Sequence, residues 1–128
     1  NKPFKVFHLV HGSYDTHQWQ APRLNQLYNE LGQCLKTFAY DLDKMGEWNN
    51  TQVLIYSEFG RTINENSNGG TDHGTAGPVF VLGGEQIYKS FVNLEPIYEI
   101  YSRNNTPMLK HQVDFRDVFN TVINEWFI

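Results

Sequence analysis

The chain has 128 residues, room for one domain with a real core but not for two. Apolar residues make up 40% and aromatics 15%, which excludes a disordered or low-complexity chain. The net charge is −4 and the basic residues are scattered, which excludes the footprint of a nucleic-acid or anionic-membrane binder. Any attraction for an anion must then be local, and bound cations are its natural source. Cys34 is the single cysteine, so no internal disulfide forms, and its place in a helical pattern reads as a small buried apolar residue. No apolar run approaches the roughly 18–20 residues that span a bilayer, and no signal peptide is recognisable. The opening Asn1-Lys2-Pro3, without Met, reads as the start of a piece of a longer protein.

Phe4 to Val10 reads as a strand that ends in the turn His11-Gly12-Ser13-Tyr14. His8 alternates within it as a structural histidine. Leu24, Leu27, Tyr28, Leu31, Leu35, Phe38, Leu42 and Met45 then follow helical spacing and predict one apolar stripe. Pro22 suits the first turn of that helix and Gly46 its C-terminal cap. Val53 to Tyr56 is a short apolar run, as expected of a strand buried on both faces. Ser57 to Gly77 lacks periodicity and is rich in Asn, Gly and Thr, the pattern of a long functional loop. Pro78 to Leu82 reads as another buried strand, stopped by Gly83-Gly84. Residues 85–112 carry no clear element. Tyr88, Phe91, Tyr98 and Tyr101 within them read as packing residues, and His111 is open to either a structural or a ligand role. Asp114 caps a last helix whose core face is Phe115, Val118, Phe119, Val122, Ile123 and Trp126. The order predicts an α/β segment, a mostly parallel sheet flanked by helices, with its site beyond the carboxyl ends of the strands.

Three clusters carry ionisable groups. In His11-Gly12-Ser13-Tyr14-Asp15-Thr16-His17, Asp15 and His17 can converge on one cation, and carboxylate with imidazole suits Zn²⁺ or another first-row metal. The plainer alternative makes Asp15 or Thr16 a helix cap. In Ser57-Glu58-Phe59-Gly60-Arg61, a carboxylate at the mouth of a sheet needs a partner. Either Arg61 pairs with Glu58, or Glu58 ligates metal while Arg61 meets a bound oxyanion. In Gly69-Gly70-Thr71-Asp72-His73-Gly74, Asp72 and His73 sit on backbone that can approach a ligand closely. Asn66 and Asn68 add polar atoms nearby.

Gly12-Ser13-Tyr14-Asp15-Thr16-His17 resembles the Gly-Gly-Trp-Asp-Thr-His signature of the DUF1501 family. Ser57-Glu58-Phe59-Gly60-Arg61-Thr62, Asn66, and Gly70-Thr71-Asp72-His73-Gly74 resemble its second signature, and Asp114-Phe115-Arg116-Asp117 its closing helix start. Ser13-Tyr14 departs from Gly-Trp. The resemblance corresponds to the C-terminal third of that family's domain. It implies an alkaline-phosphatase-like fold in the alkaline-phosphatase/sulfatase superfamily, and a metal-dependent hydrolase of phosphate or sulfate esters. The alternative it leaves is a non-catalytic exported binding or scaffold protein. By the same resemblance Asp15, His17, Glu58 and His73 ligate metal and Arg61 holds the nonbridging oxygens. Asp72 is a further metal ligand by that resemblance, and whether it forms an Asp-His pair with His73 decides which metal it sees. Zn²⁺ is the first choice, with Mg²⁺, Mn²⁺ or Ca²⁺ also compatible. The expected substrate is a small anionic ester, with no nucleic acid and no membrane insertion. The nucleophile and first metal carboxylate are expected in a preceding N-terminal part, so this chain alone is expected to be inactive. Twin-arginine export of many members implies a periplasmic setting.

Overall fold

The computed structural model describes residues 4–84 and 99–126. Its longest element is helix α1, Gln20–Lys44. The expected stripe is one face of it: Leu27 is buried, and Leu24, Leu31, Leu35 and Leu42 are half-buried. Tyr28, Phe38 and Met45 stay exposed. Cys34 is exposed as well, against the expectation of a buried thiol.

The helix stops at Gly46, whose φ of 71° is the left-handed geometry that favours glycine. Glu47 N–H donates to Leu42 O at 2.8 Å and Gly46 N–H to Asp43 O at 3.0 Å. That pair of bonds is a Schellman closure, and it satisfies carbonyls the helix end would otherwise orphan. At the other end Trp19 is the N-cap, with left-handed backbone and no side-chain cap. Neither Asp15 nor Thr16 caps the helix. Gln20 N–H donates instead to Gly69 O at 2.9 Å, so the loop that carries the third cluster is docked on the helix start.

A short 3₁₀ turn, Trp48–Asn50, leads into β1, Gln52–Ile55. The chain continues through β2, Gly60–Arg61, and β3, His73–Gly74, to β4, Phe80–Gly83. The pairs are β1 with β4 and β2 with β3, both antiparallel. The expectation of a mostly parallel, alkaline-phosphatase-like sheet flanked by helices is therefore overturned. Neighbouring parallel strands need a crossover, usually a helix. Residues 56–79 contain none: they fold back on themselves through the β2–β3 ladder, so β4 returns beside β1 from the end where β1 left. The predicted strand at Phe4–Val10 is also absent. Those residues are irregular and exposed, Phe7 by 80% and Leu9 by 88%.

Residues 99–109, where the sequence placed nothing, hold a hairpin. Strands β5, Ile100–Arg103, and β6, Thr106–Leu109, pair in antiparallel register across Asn104-Asn105. Both asparagines have positive φ, 51° and 62°, as a two-residue primed turn demands. Thr75 Oγ1 donates to Leu109 O at 2.7 Å and ties the hairpin to the chain just after β3. Tyr88, Phe91 and Tyr98 lie outside the described residues.

The last helix, α2, is Phe115–Trp126. Val118 is buried, and Phe119 meets Tyr56 edge-on with ring centroids 5.2 Å apart. Phe115, expected in the core, is 66% exposed. Asp114 is the N-cap: its carboxylate accepts Arg116 N–H at 2.9 Å and the Arg116 guanidinium at 2.9 and 2.6 Å. Those bonds, the side-chain one first, hold the Asp114 carboxyl far below the usual carboxylate range. A depressed carboxyl stabilises the fold above its unfolded value near 4 and stops doing so as pH falls toward its folded value. Amide-exchange protection in the first turn of α2 is thus expected to fade as pH drops below about 4, and Asp114→Ala to remove that dependence.

Candidate metal centre

The turn before α1 carries Asp15 and His17, and β3 begins with His73. Tyr14 fixes the turn by donating its hydroxyl to Leu27 O at 3.4 Å while His11 Nδ1 lies 3.0 Å from the Tyr14 hydroxyl oxygen. Burial pushes the Tyr14 hydroxyl pKa up. Ser13 sits at φ 74°, left-handed backbone, at the position where the resembling signature has glycine. A non-glycine residue there carries strain of about 1–2 kcal/mol. Ser13→Gly is expected to raise stability by about 0.5–1 kcal/mol, because relief of strain outweighs the added freedom of the unfolded chain; urea unfolding is the measurement.

The loop docks its backbone on that turn. Thr71 N–H donates to Thr16 O at 3.2 Å, and Asn66 Nδ2 donates to His17 O at 3.0 Å. Gly70 is buried where the two stretches touch: a Cβ on it would lie 2.2 Å from the carbonyl carbon of His17 and 2.4 Å from Gln18 N. Only a residue without Cβ allows the approach.

The result is a triangle of ligand atoms. Asp15 Oδ1 is 2.9 Å from His17 Nε2 and 3.2 Å from His73 Nε2, and the two Nε2 atoms are 3.3 Å apart. A point about 2 Å from all three, the usual zinc–ligand distance, lies roughly 1 Å off their plane. Among the described residues this is the set of His, Cys, Asp and Glu groups with metal-site spacing.

The contact on His17 Nδ1 leaves its Nε2 to face a cation. His17 Nδ1 is 3.0 Å from Asp72 Oδ1, a carboxylate that can only accept, so Nδ1 carries the proton. In the neutral ring Nε2 then turns a lone pair toward Asp15 Oδ1. That lone pair and the Asp15 carboxylate repel unless Nε2 carries a proton or a cation lies between them. A carboxylate behind a histidine is the usual support for a metal-ligating imidazole. Asp72 thus stands behind His17 and contributes no atom to the triangle. Its carboxyl is held below the usual range by the His17 bond first and the Asn66 bond second.

Arg61 is half-buried. Its Nε donates to Thr71 Oγ1 at 3.0 Å, its Nη2 to Thr71 O, and its Nη1 to Asp15 Oδ1. That last contact is the first cause of the lowered Asp15 pKa, with the charges of His17 and His73 adding to it. In the β2–β3 register Arg61 is the direct partner of His73. Thr71 in turn donates its hydroxyl to Gln20 Oε1 at 2.6 Å, and Thr16 donates to the same oxygen at 3.0 Å. Phe59 stacks on His73 with centroids 3.9 Å apart.

Glu58 is exposed and lies outside the triangle. Arg61 therefore pairs with Asp15, across 46 positions, and the local Glu58–Arg61 pairing is not formed. His8 and His111 are exposed and outside the group. The sequence suggested no role at the site for Gln20, Thr71 or Phe59, and for Thr16 only a helix cap. A polar residue opening a helix and an aromatic two positions before Arg61 are signals too common to single out.

Residues 2–90 match the family described as "Protein of unknown function (DUF1501)", a span that contains the whole triangle and its supports. No curated protein matches the chain, and no solved structure does.

Proposed function

The chain belongs to the DUF1501 family, and from that premise we propose that Asp15, His17 and His73 hold a divalent metal ion for the hydrolysis of a phosphate or sulfate ester. The observation that carries this reading is the triangle of Asp15 Oδ1 and two imidazole Nε2 atoms, with the Asp72 carboxylate behind one of them. Two nitrogens and one oxygen suit Zn²⁺ or another first-row ion better than Mg²⁺ or Ca²⁺, which prefer all-oxygen shells. Three protein ligands leave a coordination position for water or substrate, the arrangement of catalytic rather than structural zinc.

When bound, the ion would polarise the ester and stabilise the oxygen that leaves. The chain's own groups do the rest. Asp72 keeps His17 in the ligating tautomer. Arg61 balances the charge of Asp15, and each Nη retains a second N–H for a nonbridging oxygen of a small anionic ester. Phe59 covers one face of His73 and limits its rotation. The motif resemblance to the alkaline-phosphatase/sulfatase superfamily supports the ester class. It also supports an exported protein whose nucleophile comes from outside these residues. The fold itself contributes nothing to the reading, since the described sheets are antiparallel.

One observation favours a second reading, a non-catalytic exported binding protein. The side chains of Asp15, His17 and His73 are 50%, 46% and 53% exposed, whereas catalytic sites exclude water. The test uses the intact protein. Elemental analysis should find a first-row metal that disappears in Asp15→Ala/His73→Ala, and hydrolysis of an aryl phosphate or aryl sulfate should stop with chelator and return with Zn²⁺. Metal without turnover selects the binding protein; metal retained by the double variant sinks both readings.

A further inference from the structure

We propose that Asn66 is the positioning residue of this centre: it sets the His17 ring through Asp72 and fixes the His17 backbone directly. The inference rests on the metal-site reading above and adds a residue to which no role had been given.

All four hydrogen-bonding positions of the Asn66 side chain are used. Oδ1 accepts Asn68 N–H at 2.9 Å and Gly70 N–H at 3.0 Å. Nδ2 donates to His17 O at 3.0 Å and to Asp72 Oδ1 at 3.3 Å. The orientation of the amide is not arbitrary. Two backbone N–H groups can meet only an acceptor, and a carbonyl and a carboxylate can meet only a donor, so a flipped amide would lose every bond. The backbone joins in, with Asn66 N–H donating to Gly70 O at 2.8 Å and Asn66 O accepting Gly69 N–H at 3.2 Å.

The two halves of the side chain do different work. The oxygen shapes the loop from Asn66 to Gly70. The nitrogen reaches out of the loop and binds both the main chain of one ligand and the carboxylate that selects that ligand's tautomer. Asp72 Oδ1 therefore has two donors, His17 Nδ1–H and Asn66 Nδ2–H, and they hold the oxygen in the imidazole plane's reach. Without Nδ2 the carboxylate can rotate, and His17 loses both its tautomer preference and its backbone tether.

Asn66→Asp separates the halves. It keeps the acceptor for Asn68 and Gly70, deletes the donor, and puts a second carboxylate beside Asp72. The expected result is a folded protein, by circular dichroism, whose Zn²⁺ affinity in chelator competition falls about 10–100-fold. In the metal-free protein, nitrogen NMR of His17 should show the wild-type Nδ1–H tautomer giving way to a mixture. Asn66→Asp/Asp72→Asn restores a donor–acceptor pair with reversed polarity, and should recover part of the affinity. A residue that merely held the loop would show no such recovery. Unchanged affinity and tautomer in Asn66→Asp overturns the inference. If wild type binds no Zn²⁺, the metal reading fails by itself, and the tautomer measurement still decides the part played by Asn66.

Discussion

His73→Ala is expected to lower Zn²⁺ affinity by a hundred- to a thousandfold while leaving helix α1 intact. Zinc sites with four protein ligands contribute about 10–16 kcal/mol, or roughly 2.5–4 kcal/mol per ligand, and each 1.4 kcal/mol is a factor of ten. His73 opens a strand of only two residues, is half-exposed, and meets its neighbours through Phe59 and the triangle. Its removal therefore leaves no cavity in the core. Glu58→Ala is the matched control, because Glu58 lies outside the triangle and its loss should leave affinity unchanged. Competition with a chromophoric chelator measures both variants. Equal loss in the two would mean that general charge near the loop, and not coordination, attracts the ion.

Gly70→Ala is expected to destabilise the protein by about 2–3 kcal/mol and to abolish metal binding with it. The added Cβ meets backbone at 2.2–2.5 Å on three atoms of His17 and Gln18, and backbone cannot swing aside as a long side chain can. The loop must lift away from the turn, which breaks the Thr71–Thr16 and Asn66–His17 bonds together. Gly12→Ala is the contrast, since a Cβ there meets nothing within 4 Å. A thermal melt separates the two, and a Gly70→Ala protein as stable as Gly12→Ala would mean that the close approach does not persist in solution.

The helical parts of the fold were legible because their evidence is local. The spacing from Leu24 to Leu42, with Gly46 beyond it, states a helix and its end without reference to the rest of the chain. Strands are different. Val53–Ile55 and Phe80–Leu82 announce extended backbone, but their direction depends on what the intervening chain does, and that chain doubles back. Phe4–Val10 has strand composition yet is in no strand among the described residues. The hairpin at 100–109 could have been found: Asn104-Asn105 between two short runs is a two-residue turn signal, and a proline at position 107 masked it.

At the site, the first and third clusters come together, while Glu58 of the second stays outside the triangle. The roles within the cluster could not be read. Adjacent residues Asp72 and His73 look equivalent in sequence. Successive residues of extended chain point to opposite sides, so one supports the triangle and the other forms a corner of it. Asn66 and Gln20 join near neighbours such as Asn68 and Thr16 to the distant His17 and Thr71, and the distant half of those bonds leaves no local trace.

The three corners of the triangle come from positions 15, 17 and 73, while Leu27 and Val118 are the fully buried apolar residues among those described. A cation there would bridge 56 positions of chain, as a disulfide does. Ligand that binds only the folded state at a hundred times its Kd adds about 2.7 kcal/mol. Loading and folding would then be a single equilibrium, and the melting temperature of this protein would report the zinc in its buffer.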